Sequence, residues 1–174
     1  RHHVYGLALL NQFTASKGAE TPENFRGYTF RVGYDYKKKY LVEFSGAYNG
    51  TDRFKSSQRF GLFPAVALGW NVAEESWFQE RVKVVDLLKI RGSIGLVGSD
   101  DIKGNQYLYE YLYARSGSYS IGESHKAING IREGILGNEN VTWEVERSSN
   151  IGLDLNMFKS NLTFTADFFD RYRT

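Results

Sequence analysis

"NVTWEVERSSNIGLDLNMF", residues 140–158, alternates for almost its whole length. Val141, Trp143, Val145, Ile151, Leu153, Leu155 and Met157 hold odd positions, and Thr142, Glu144, Glu146, Ser148, Asn150, Asp154 and Asn156 hold even ones. A period of two means a β-strand with one apolar and one polar face. Globular strands run about 5 to 6 residues, and this one would run about three times that. A strand crossing a bilayer needs about 9 to 11 tilted residues, and the surplus can project beyond the membrane. On that reading 151–157 would face lipid. Arg147 and Ser149 interrupt the apolar face higher up, where an Arg snorkels to head groups. Val141, Trp143 and Val145 would stand outside the bilayer against neighbouring loops.

The composition fits such a wall. The chain has 174 residues, 16% of them aromatic, with 12 Tyr, 12 Phe and 3 Trp. Mean hydropathy is −0.45, and no run approaches the roughly 18 apolar residues of a membrane helix. That excludes a helical membrane protein but not a β-barrel, whose apolar residues are diluted by alternation. A net charge of +2 gives no argument for nucleic acid. With no cysteine there is neither a disulfide framework nor a cysteine metal site. His2 and His3 read as ordinary residues at a strand end rather than metal ligands.

Elsewhere the period repeats. Residues 2–15 are apolar on both faces, so their orientation is open. In 25–36, Tyr28, Phe30, Val32, Tyr34 and Tyr36 share a face. "KKK" (37–39) makes a tight turn into 40–50, a hairpin. Residues 60–72 contain Pro64, which cannot donate to a ladder and is expected to mark a bulge or bend. "AEESWFQERVKVVD" (73–86) is the one short helix, with acidic residues early as the helix dipole favours. Strands follow at 87–99, in the opening stretch, and at 162–172. The expectation is therefore all-β: an antiparallel meander of about seven strands. Short connections at 37–39, 74–86 and 159–161 alternate with longer polar ones at 16–24, 51–59 and 100–139. Bacterial outer-membrane barrels have this asymmetry, with short periplasmic turns and long external loops. Tyr34, Tyr36, Tyr40 and Trp70 all fall at the short-turn ends, where an interfacial aromatic girdle belongs.

Four segments, in order, resemble the SusC/RagA type of TonB-dependent outer-membrane transporter: "YLVEFSGAYNGTDRF", "FGLFPAVALGWNVAEESWF", "LLKIRGSIGLVGS" and "GNENVTWEVERSSNIGLDLNMFKSNLTFTADFFDRYRT". Ser99 stands where the family usually has Asn, and Glu139 where it usually has Pro. The resemblance implies a barrel of about 22 strands with a plugged lumen. It further implies a bacterial outer-membrane setting, a SusD-like surface lipoprotein as lid, and a glycan, oligosaccharide or peptide cargo. TonB would be reached only through an N-terminal region. Residues 1–174 are then expected to be a barrel segment, with plug domain and remaining strands absent, and with outer-membrane lipids as neighbours.

No enzyme chemistry or cofactor is indicated. Glu144 and Glu146 share a strand face, as a polar lumen wall requires, and His125 is the only interior histidine, in a Gly/Ser-rich loop. In "NQYLYEYLYARSGSY", Tyr107, Tyr109, Tyr111 and Tyr113 alternate, so an extended hairpin would align them. With Tyr119 they form a candidate contact surface for cargo or a partner, since Tyr gives large contact area at low entropic cost. The rival reading is a soluble or secreted all-β carbohydrate-binding module, in which Ile151, Leu153, Leu155 and Phe164 would be covered by a second sheet.

Overall fold

Each of the seven stretches expected as strands contains one in the computed structural model, which describes residues 1–16, 21–101 and 107–174. Residues 17–20 and 102–106, parts of two of the expected polar connections, lie outside the described residues. In chain order the strands are β1 (His2–Ala15), β2 (Glu23–Tyr36), β3 (Tyr40–Thr51), β4 (Phe60–Asn71), β5 (Val85–Ser99), β6 (Tyr113–Ile121), β7 (Lys126–Glu133), β8 (Glu144–Met157) and β9 (Leu162–Arg173). Seven form one antiparallel sheet in the order β1-β2-β3-β4-β5-β8-β9, and β6 and β7 pair with each other alone. The expected seven-strand meander is present, and the β6–β7 hairpin is an addition to it.

Three details differ from expectation. The opening stretch becomes strand only from Glu144, because Trp143 is drawn into a loop cluster. The single helix divides into a 3-10 turn, Val72–Glu74, and α1, Ser76–Arg81. Pro64 makes no bulge: it pairs in register with Gly46 of β3, and the β4–β5 ladder simply ends beside it at Ala65 and Gly95. A missing N–H ends pairing on one side and leaves the other intact.

Register fixes the faces. Tyr36, Tyr40, Trp70, Ile90 and Leu153 stand opposite one another from β2 to β8, and their face carries most of the apolar residues of those five strands. Among the described residues nothing covers it: Ile151 is 66% exposed and Phe164 53%. Among the described residues the buried hydrophobic set is Phe54, Phe63, Val72, Ala73 and Trp143, none of it on the open apolar face. An uncovered greasy sheet of this extent is an interaction surface, not the outside of a water-soluble domain.

The apolar band also runs obliquely across the register. From the shared row, β2 stays apolar for eight residues up to Tyr28, whereas β8 stays apolar for only two, up to Ile151. Four strand steps separate β2 from β8, a lateral distance of about 19 Å at roughly 4.8 Å each, and six residues span about 20 Å. At the lower edge the drift is four residues, from Leu153 to Met157. A band that is level in a membrane therefore requires strands tilted by about 35 to 45°, the tilt of transmembrane barrels.

Candidate functional site

At the short-turn end Tyr40 and Trp70 of the shared row gather around Glu75, which lies between the 3-10 turn and α1. Its carboxylate accepts from the Tyr40 hydroxyl at 2.7 Å, the Lys39 ammonium at 3.0 Å and Trp70 Nε1 at 3.3 Å. These bonds, led by that from Tyr40 and then that from Lys39, hold its carboxyl below the usual carboxylate range. Tyr34 lies one outward position higher, its hydroxyl 2.8 Å from His2 Nδ1. His3 Nδ1 lies 3.0 Å from Asp35, so the two histidines serve the strand end. The adjoining turn is tight because Lys37 and Lys38 both take positive φ, 51° and 60°. Lys39 N–H closes it on the Tyr36 carbonyl at 2.9 Å. The sequence did not mark Glu75 as the centre of this group; only the fold brings a residue 35 positions away onto Tyr40.

The other face is polar and cross-braced. Arg91 on β5 lies across Gly152 on β8 to reach β9: its Nε bonds Asp154 at 3.0 Å and its Nη2 bonds Asp167 at 2.9 Å. A Cβ at Gly152 would sit 2.5 Å from Arg91 Cζ, so a larger residue there would push the guanidinium off this path. Tyr5 repeats the device from β1, lying over Gly33 of β2 and donating to Glu43 of β3 at 2.9 Å. Between the braces is a shallow recess of about 300 Å³ over Leu41, Ala67, Gly69 and Ser93. Glu144 and Glu146 meet Arg173 across the sheet, at 3.4 and 3.0 Å, as wall ion pairs.

The loop end holds the hydrophobic core. Phe54 is 1% exposed and packs against Trp143, ring centroids 5.5 Å apart, while Phe63 meets Trp143 edge-on at 5.2 Å. Trp143 Nε1 donates to the Arg59 carbonyl at 3.2 Å. Val141 and Val145 pack on this cluster, as expected of residues standing above the lipid level. Arg53 ties it to the β2 entry, donating to Glu23 and to the Asp100 carbonyl.

The tyrosines do not form the extended row their spacing suggested. Tyr107 has φ of 56° and precedes a turn, in which the Glu110 N–H bonds the Tyr107 carbonyl. Tyr107 donates to the Pro22 carbonyl at 2.6 Å and Tyr109 to the Asp52 carbonyl at 3.4 Å, their rings edge to face. Burial raises both hydroxyl pKa values. They border a groove of about 710 Å³ with Phe13, Phe25 and Phe60. Tyr111, Tyr113 and Tyr119 are instead exposed, at 63%, 69% and 65%, the last two on β6. A second aromatic set escaped the sequence reading: Tyr28 and Tyr48 pair across β2 and β3, and Tyr48 stacks on Phe60 at 5.1 Å. The signal was present, since Tyr28 shares the parity of Tyr34 and Tyr36 eight residues above the lower row.

No family model matches the chain. It is similar to a TonB-dependent receptor of Formosa agariphila, 34% identical over 137 residues, which are 79% of this chain and 12% of that protein. It is also similar to the TonB-dependent receptor SusC of Bacteroides thetaiotaomicron, 31% identical over 163 residues, 92% of this chain and 16% of SusC. Its fold matches the RagAB peptide importer in the closed-closed state with a TM-score of 0.75, covering 88% of this chain and 16% of that one. The open-open state gives 0.72 over 87% of this chain, and identity is 22% in both. The chain thus spans 12% to 16% of the length of the curated relatives quoted.

Proposed function

The chain is of the SusC/RagA type of TonB-dependent receptor in sequence and fold, and from that premise we propose that it forms part of the barrel wall and outer loops of an outer-membrane nutrient importer. The observation that carries the proposal is the uncovered apolar band, level only if the strands tilt as barrel strands do, backed by a polar, ion-paired inner face. The role is structural within transport rather than catalytic. The polar face lines the route for a glycan, oligosaccharide or peptide, and the external loops help hold it with a SusD-like surface lipoprotein. TonB acts on a region outside residues 1–174. Tyr34, Tyr36, Tyr40 and Trp70 serve as the inner interfacial girdle, with Tyr28 and Tyr48 as its outer counterpart. Exposed Tyr111, Tyr113 and Tyr119 are the loop tyrosines open to cargo or lid, and Tyr107 and Tyr109 border the groove beneath.

The test is to express the full reading frame containing this chain in a Gram-negative host and fractionate the envelope. The expected product enters the outer membrane and migrates faster on gels unboiled than boiled. Recovery as a monomeric soluble protein without detergent would refute the proposal.

A further inference from the structure

Most charged side chains of the polar face are paired within the wall: Arg31 with Glu43, Arg91 with Asp154 and Asp167, Arg173 with Glu144 and Glu146. The outward face differs. Arg26 and Arg147 point outward by register, Arg26 between Gln12 and Gly50, Arg147 between Leu96 and Tyr172. Both are exposed, and neither makes an ion pair or hydrogen bond among the described residues. The one outward carboxylate near them, Asp170, stands opposite Ser149 and makes no ion pair with Arg147.

The strand tilt puts the two arginines in one plane. Arg26 is ten residues above the Tyr36–Leu153 row on β2, and Arg147 six above it on β8, four strands along. At a tilt of about 40°, four strand steps raise the level by roughly 12 Å and four fewer residues lower it by roughly 10 Å. The two guanidinium groups therefore emerge at heights within about 2 Å, some 20 Å apart around the wall, just above the level of Tyr28 and Tyr48. That is the top of the apolar band, where head groups of the outer leaflet begin.

We propose that Arg26 and Arg147 bind phosphate groups of outer-leaflet lipids, each holding its own head group. Guanidinium matches phosphate with paired, charge-assisted hydrogen bonds, and among the described residues neither arginine is ion-paired with a protein carboxylate. The proposal rests on the barrel reading above and adds to it a preference for anionic, phosphorylated lipid.

The experiment purifies the full-length protein from outer membrane in mild detergent and counts retained phosphorylated lipid by native mass spectrometry. Arg26→Gln and Arg147→Gln are each expected to reduce retention about fivefold, the weight of one interfacial cation. Arg26→Lys, which keeps the charge, should largely restore it, and Arg31→Gln on the polar face should leave it unchanged. Equal retention in wild type and the double Gln variant, both folded by gel migration, overturns the proposal while leaving the barrel reading intact. Should the variants fail to fold, wild-type protein is reconstituted in phosphatidylcholine vesicles with and without one fifth phosphatidylglycerol. A thermal midpoint that does not rise with the anionic lipid then overturns it. A protein that never enters the membrane sinks the barrel reading itself.

Discussion

Replacing Trp143 by Ala removes the centre of the loop-end cluster without touching the lipid-facing wall. The side chain is 7% exposed, lies between Phe54 and Phe63, and satisfies the Arg59 carbonyl. Truncating a buried Trp costs about 4 kcal/mol, from lost transfer energy and the cavity left behind. Because the cluster joins loops rather than the whole sheet, that cost should appear as local opening of the loop end, not as collapse of the barrel. At about 1.4 kcal/mol per tenfold, the open population rises roughly a thousandfold. Proteolysis reads that population directly when reclosing outpaces cleavage. Limited digestion should therefore cut near residues 52–59 or 134–143 hundreds of times faster in Trp143→Ala, while resistance to boiling in gels stays near wild type. Trp143→Phe keeps an aromatic ring but loses the bond to Arg59, worth about 1 kcal/mol, so its effect should be near fivefold. Phe54→Ala combined with Trp143→Ala should cost less than the two separately, since both empty one cluster. A change below tenfold in Trp143→Ala would refute the view that this cluster closes the loop end.

Three further outcomes follow from the geometry. Gly152→Ala should break the Arg91 brace and lower the temperature at which the folded gel band disappears, whereas Gly152→Ala with Arg91→Ala, which removes the collision, should recover part of the loss. Replacing Lys37-Lys38 by Asn-Gly, residues suited to positive φ at both central turn positions, should stabilise by about 1 kcal/mol in denaturant titration. The Glu75 carboxyl is held low by its partners, so its stabilising effect is complete above the ordinary carboxylate range and is lost as pH falls through the lower, folded value. Trp70 emission should change with acid over that window, and Glu75→Gln should abolish the change.

The wall was legible in the sequence because most of its strands keep strict parity over seven or more residues, nine from Tyr28 to Tyr36 and seven from Ile151 to Met157. The β6–β7 hairpin was not, because a bulge between Ser116 and Ser118 shifts its parity midway. Alternation then fails as a signal even though pairing continues. Tyr107 and Tyr109 misled for the opposite reason: their spacing is regular, but hydrogen bonds to the distant Pro22 and Asp52 carbonyls hold them in a turn. Tertiary contacts outrank local periodicity there. The same holds at Trp143, whose place in the pattern is correct while its partners Phe54 and Phe63 lie some 80 to 90 residues away in the chain. Glu75 and Gly152 lie in segments that carried the family resemblance, but alternation gave neither its role, which comes from the donors gathered on Glu75 and from Arg91 crossing Gly152.

Arg91 and Tyr5 lie down along the sheet rather than standing up from it, each over a glycine of the next strand. A long side chain held flat takes little bore from any passage the sheet encloses. Had Gly33 and Gly152 been larger, the same residues would project inward, and clearance rather than stability would be the first thing lost.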